Sequence, residues 1–256
     1  GLAILCALMS LYVGFMNLSY KIQKRKLQKY PQIINENYKP FVSILIPAHD
    51  EESVIGNTVQ NILSMDYENF EVIVIDDRST DNTASVIKDL ESKYEKVTAL
   101  IREKDAFPGK SAVLNDAFKL AKGEAILVFD ADATVEPDFL TTLIPHLEPK
   151  DVGAVQARKV IRNKNMNLLT RCQNNEYTLD TYFQVGRDSV KGAVELRGNG
   201  ELLKRQAIED IGGWNNYTIV DDLDMSTRMH IKGWDIRFCP DAVVFEEGIT
   251  YLRPLY

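Results

Sequence analysis

The sequence predicts an α/β body, a mostly parallel sheet flanked by helices, preceded by one transmembrane helix. Three observations carry this. Short apolar runs alternate with helix-length stretches through the body, as buried parallel strands and their crossover helices do. The first, second and fourth runs end in acidic clusters. Residues 1–20 contain no charged side chain.

Taken in order, residues 1–20 match the roughly 20 residues a helix needs to span a hydrocarbon core. Residues 21–29 follow with five basic side chains and no acid, which places the body on the cytoplasmic side. A cleaved signal peptide would carry its positive charge before the apolar run, not after it. Residues 21–40 then read as a basic juxtamembrane linker. Strands are expected at 41–46 (FVSILI), 70–75 (FEVIVI), 96–101 (KVTALI), 125–129 (AILVF) and 152–157 (VGAVQA). Helices are expected at 53–64, 80–94, 110–122 and 137–147, and another from Asp221 to Ile231. Residues 166–190 read as an amphipathic helix, lying at a membrane surface or packed in the core, with the core preferred.

Composition narrows the function. At 45% hydrophobic and 26% charged, the 256 residues make a folded chain. Cys6, Cys172 and Cys239 form no C-x-x-C pair, and the three histidines do not cluster, so zinc-finger and H-E-x-x-H chemistry are excluded. Of the net charge of −7, residues 1–40 carry +5, from six basic residues and one acid, which leaves −12 on the body. An acidic body argues against nucleic acid as a partner. Gly109-Lys110-Ser111 lacks the first glycine of a phosphate-binding loop, and Gly198-Asn199-Gly200 lacks the third glycine of a dinucleotide fingerprint.

Ligands of such sheets bind at the carboxyl ends of the strands. The clusters 49–52 (HDEE), Asp76-Asp77 and Asp130-Ala131-Asp132 all fall there. Three acidic groups at one edge repel unless a cation or a hydrogen-bonding ligand sits among them. Carboxylates one residue apart can place one oxygen on Mg2+ or Mn2+ and another on a sugar hydroxyl. DADAT at 130–134 also matches the nucleophile motif of haloacid-dehalogenase-type phosphatases, a remote rival, since that family usually places it on the first strand.

The order and spacing of IPAHDEE (46–52), VIDDRSTDNT (74–83), GKSAVLN (109–115), FDAD (129–132) and VDDLD (220–224) resemble the inverting family 2 glycosyltransferases of GT-A fold. The resemblance covers about residues 41–250. Within that family, GAVELRGNG (192–200), GGWN (212–215), QARK (156–159) and EEG (246–248) resemble the cyanobacterial membrane enzymes that make monoglucosyldiacylglycerol. The resemblance implies glucose transfer from UDP-glucose to diacylglycerol, with Mg2+ (Mn2+ also possible), in an integral membrane protein whose catalytic domain is cytoplasmic. A processive β-polysaccharide synthase shares nearly all these motifs and is the alternative.

The same resemblance implies the roles. Asp77 contacts uracil or ribose, with Glu51 nearby; the pair Asp76-Asp77 also reads as a turn before a helix cap. Lys110 meets the diphosphate, or is an ordinary exposed lysine. Asp130 orients the nucleotide and Asp132 is the metal ligand. Asp222 matches the catalytic base, where the usual Thr-Glu-Asp reads Val220-Asp221-Asp222 here; otherwise these acids only favour a helix start. Asp221, Asn199 and Trp214 are assigned to the acceptor side, with a tight turn at 198–200 and a core tryptophan as the plain readings. The family pattern continues into a Gln-x-x-Arg-Trp motif that lies beyond Tyr256, so residues 41–256 read as a C-terminally truncated domain.

Overall fold

The computed structural model describes residues 2–29, 35 and 37–251. Eight strands form one sheet in the order β3-β2-β1-β4-β7-β6-β8-β5. The first half is parallel: β1 (Val42–Ala48) lies between β2 (Phe70–Asp76) and β4 (Ala125–Val128), with β3 (Val97–Ile101) at the edge. Beyond β4 the direction changes. β7 (Glu201–Lys204) runs antiparallel to β4 and to β6 (Val152–Ile161). β8 (Asp235–Glu246) is parallel to β6 and pairs antiparallel with the short β5 (Thr134–Val135). The sheet is therefore mixed, where a mostly parallel one was expected. The five expected strands are present, and β5, β7 and β8 are additions.

Continuous apolar runs form the central strands because both faces are buried. Ile44 and Ile46 of β1 join one core with Val72 and Val74 of β2. Leu45 joins the opposite core with Ile73 and Ile75. The first face is covered by α2 (Ile55–Leu63), α3 (Thr83–Lys93) and α5 (Phe139–Leu143). The second is covered by α4 (Lys110–Leu120), α7 (Arg205–Ile211) and α8 (Asp221–Ile231). Side chains alternate between the two layers with the period of a strand.

The N-terminal region departs from expectation. α1 (Leu2–Lys29) is one helix, so residues 21–29, expected in a juxtamembrane linker, continue it; residues 30–34 and 36 lie outside the described residues. Among the described residues no helix is long and apolar enough to cross a membrane, so the span expected over 1–20 is without support in the structure. The second half of α1 is taken up by α6 (Leu168–Ser189). Tyr12 stacks on Phe183, and Tyr20 meets Tyr182 edge-on. Met16 is buried against Gly186, where an added Cβ would stand 2.9 Å from Met16 Cβ. Arg187 donates to the Tyr12 hydroxyl and pairs with Glu195, which brings charge to the level of Tyr12. The other face of α1 is open and apolar, with Ile4, Leu8, Leu11, Phe15 and Leu18 all exposed.

Candidate active site

The carboxyl ends of β1, β2 and β4 open onto a cleft of about 510 Å3. Glu51, Asp77, Lys110, Asp130 and Asp132 all line it, so five of the expected site residues come together. A larger cavity, about 710 Å3, lies at the opposite edge beside Tyr38, Tyr67 and Ile144. It sits at the amino ends of the strands, where sheets of this type do not bind ligands.

Two loops are zipped together to present the acids. Asp50 Oδ1 accepts from the Thr80 and Asp81 backbone N–H groups at 2.6 and 3.3 Å. In return Glu51 N–H donates to Thr83 Oγ1 at 2.8 Å, and Asn82 N–H to Glu52 at 2.8 Å. Asp50 and Arg78 hold left-handed backbones (φ 57° and 60°), strain of the kind concentrated at functional sites. Asp77 is gripped by Arg78 Nε at 2.8 Å and by the buried Arg102 Nη1 at 2.6 Å. Burial pushes the Asp77 carboxyl up, but these two arginines outweigh it and hold it below the usual carboxylate range.

Lys110 opens α4 behind Gly109, whose φ of 102° suits glycine. No side chain caps this helix, so its first N–H groups are free for an anion. Lys110 Nζ donates to Asp130 at 2.6 Å and to the Gly198 carbonyl at 2.9 Å. Burial would lower its pKa, but Asp130 raises it beyond the ordinary lysine value. Asp222 reaches the same point: a Cβ on Gly198 would lie 3.8 Å from both Asp222 Oδ2 and Lys110 Nζ. Asp221, beside it in the first turn of α8, accepts from the Asp222 N–H at 3.1 Å.

The remaining acids are crowded. Burial, then Asp130 and Glu246, pushes the Asp132 carboxyl up. Burial, then Asp132, Asp81 and Asp130, does the same for Glu51. A divalent cation would relieve this repulsion. No group of three or more metal-ligating side chains occurs among the described residues. A hard cation that keeps water and phosphate ligands needs only one or two carboxylates, so the oxygen donors of Asp130 and Asp132 fit it.

The Glycosyltransferase like family 2 model matches residues 40–253. The chain belongs to this family. It is 45% identical over 213 residues to the β-monoglucosyldiacylglycerol synthase of Nostoc sp., covering 82% of this chain and 46% of that protein. It is 30% identical over 220 residues to the poly-β-1,6-N-acetyl-D-glucosamine synthase of Staphylococcus aureus, covering 85% and 52%. Among solved structures it resembles a mannosyltransferase of Pyrobaculum calidifontis in complex with GDP-Man and Mn2+. That match has a TM-score of 0.73 and 27% identity over 95% of this chain and 68% of that one. The chain spans about half the length of the curated relatives it matches. The fold is thus GT-A-like, with a mixed sheet.

Two acceptor-side assignments meet a different environment in this family 2 chain. Asn199 is fully buried; its Oδ1 accepts from the Asp130 N–H at 3.1 Å, and its Nδ2 donates to Glu246 at 2.8 Å. It is an internal strut, because every polar atom of its amide is spent inside the protein. Trp214 is 5% exposed and meets Phe118 edge-on under α4, and its remaining surface lines an open cavity of about 610 Å3 beside Gly212-Gly213, apart from the cleft.

Sequence reasoning missed Glu201. It is buried at the start of β7, accepts from the Gly198 N–H and lies beside Lys110, Asp222 and Asp221. Glu246 carries no signal in the sequence beyond its place in the motif at 246–248. Its carboxylate pairs with Lys159 at 2.9 Å and accepts from Tyr177 at 2.7 Å. A charged residue opening an apolar strand, Glu201 before Leu202-Leu203, was the available signal for the first.

Proposed function

We propose that the protein transfers glucose from UDP-glucose to the free hydroxyl of diacylglycerol, with inversion at the anomeric carbon. The observation that carries a transfer reading is the meeting of Lys110, Asp130 and Asp222 at the Gly198 turn, beside the cleft lined by Asp77 and Asp132. The choice of glucose and diacylglycerol follows the cyanobacterial relatives.

In this reading Asp77 contacts the uracil or ribose, with Glu51 beside it. Asp130 orients the nucleotide, and Lys110 and the open end of α4 face the diphosphate. Asp132, with Asp130, would hold Mg2+ or Mn2+, and the cation would supply positive charge to the departing diphosphate. Asp222 accepts the proton of the acceptor hydroxyl as that oxygen attacks the anomeric carbon. The attack comes from the face opposite the leaving group, and the breaking C–O bond gives its electron pair to the diphosphate. Asp221 flanks the acceptor hydroxyl.

We place α1 at the membrane, with the open face of Ile4, Leu8, Leu11, Phe15 and Leu18 in lipid. The basic residues from Lys21 onward then lie at cytoplasmic headgroups, with the catalytic domain on the same side. This puts the transferase where its acceptor resides.

The match to the poly-N-acetylglucosamine synthase favours a second reading, a processive β-polysaccharide synthase. One experiment separates them. The full-length protein in membranes is given a panel of radiolabelled nucleotide sugars. Label from UDP-glucose in the lipid extract supports the proposal, and label in polymer overturns it.

A further inference from the structure

A further cavity, about 520 Å3, lies where α1 meets α6 and the β6–β8 edge, away from the cleft. Its walls carry Lys24 of α1, Arg158 of β6 and the edge-on rings Tyr20 and Tyr182. Arg158 follows the register shift between Ala157 and Arg158, where β6 opposes a bulged β8. Its Nε is buried without a hydrogen-bond partner. Neither Arg158 nor Lys24 takes part in an ion pair among the described residues. A buried guanidinium donor left unmade is costly and wants an acceptor. Lys159 also lines the cavity, but Glu246 neutralises it. Asp241 is the one acid in the wall and lies at the exposed rim. Lys24 and Arg158 against Asp241 leave the cavity net positive.

Its position narrows the ligand. Tyr20 and Lys24 mark the point where the uncharged run of α1 gives way to its basic run, the level of lipid headgroups. Phe15, Leu18 and Ile22 are exposed on the same stretch of α1. Diacylglycerol carries no charge and has no use for a cationic pocket. We infer that this cavity binds the phosphodiester headgroup of an anionic membrane phospholipid, with its acyl chains along the exposed apolar face of α1. The site is linked to the donor cleft through a chain of bonds: Lys159 holds Glu246, Glu246 holds Asn199, and Asn199 holds the Asp130 N–H. An anion beside Lys159 competes with Glu246 for it, so occupancy is felt at Asp130. The inference rests on the membrane placement of α1 proposed above, not on the identity of sugar or acceptor.

The test uses the full-length protein in nanodiscs of phosphatidylcholine with or without phosphatidylglycerol, with retained lipid read by native mass spectrometry and no donor or acceptor present. Wild type retains phosphatidylglycerol. Arg158→Gln weakens retention about tenfold, the worth of a charge-assisted hydrogen bond to a buried group. Lys24→Gln, at an exposed helix position that leaves folding intact, weakens it in the same direction, while Arg25→Gln on the basic run changes it little. Equal loss at Arg25 and Arg158 would reduce the effect to the general charge of the run and overturn the pocket. Competition by inorganic phosphate at millimolar concentration, without any need for acyl chains, would overturn the lipid assignment. Failure of wild type to enter phosphatidylcholine nanodiscs at all would instead remove the membrane placement of α1.

Discussion

Asp132 and Glu201 are both carboxyls held away from their ordinary state, for opposite uses. Asp132 is crowded by Asp130 and Glu246 at an open cleft, where a cation can enter. Asp132→Ala should weaken cation-dependent UDP binding about tenfold or more while leaving cation-free binding unchanged. Calorimetry with and without Mg2+ or Mn2+ checks this, and equal cation dependence in both proteins would remove the ligand role. Glu201 has no such access. Burial pushes its carboxyl from 4.5 up to about 7, against the pull of the Gly198 N–H and Lys110. The sign follows from proton counting: between those two values the folded chain keeps a proton that the unfolded chain has lost. Stability therefore falls as pH rises through that window and levels off above it. Glu201→Gln keeps an acceptor for Gly198 and removes the ionisation, so its thermal melts should lose this slope. An unchanged slope between pH 5 and 7 would assign the titration to another group.

At the scale of elements, legibility followed burial. β1, β2 and β4 are buried on both faces, so their sequences are unbroken apolar runs ended by acids, and strand and site were read together. β8 was not legible, because it mixes Asp235, Arg237, Pro240 and Asp241 with its apolar positions. Pro240 cannot donate to a ladder, and it falls in the stretch where β8 bulges against Ala157 and Arg158. β7 is four residues long and opens with a charge, too short a run to declare itself. The Trp214 environment was equally hidden: an aromatic beside Gly212-Gly213 fits a core or a wall, and its edge-on contact with Phe118 of α4 is not visible in local sequence. The α1–α6 contact is a further property of elements that no local pattern carries. Gly186 sits against Met16 because nothing larger fits, so Gly186→Ala should loosen α1, costing about 1–3 kcal/mol of overpacking. Tryptic cleavage at Lys24 and Arg25 of α1 should accelerate in that variant, and an unchanged cleavage rate would count against the observed packing.

For the whole molecule, charge and topology point one way. The +5 of residues 1–40 and the −12 of the body separate a basic root from an acidic carboxyl edge. The mixed sheet brings β7, and with it the Gly198 turn, alongside β4, so pairs 69 and 88 positions apart in sequence meet beside Asp130. The five motifs signalled which residues gather, but not that the Gly198 carbonyl holds Lys110 in place while Glu201 accepts from the Gly198 N–H. The most direct test of the account is Asp222→Asn in the full-length membrane protein, measured for UDP-glucose binding and for glucose transfer to diacylglycerol. Binding should stay within error of wild type while transfer falls by roughly 10²–10⁴-fold, the worth of a general base. Transfer at the wild-type rate would contradict the assignment of the proton acceptor.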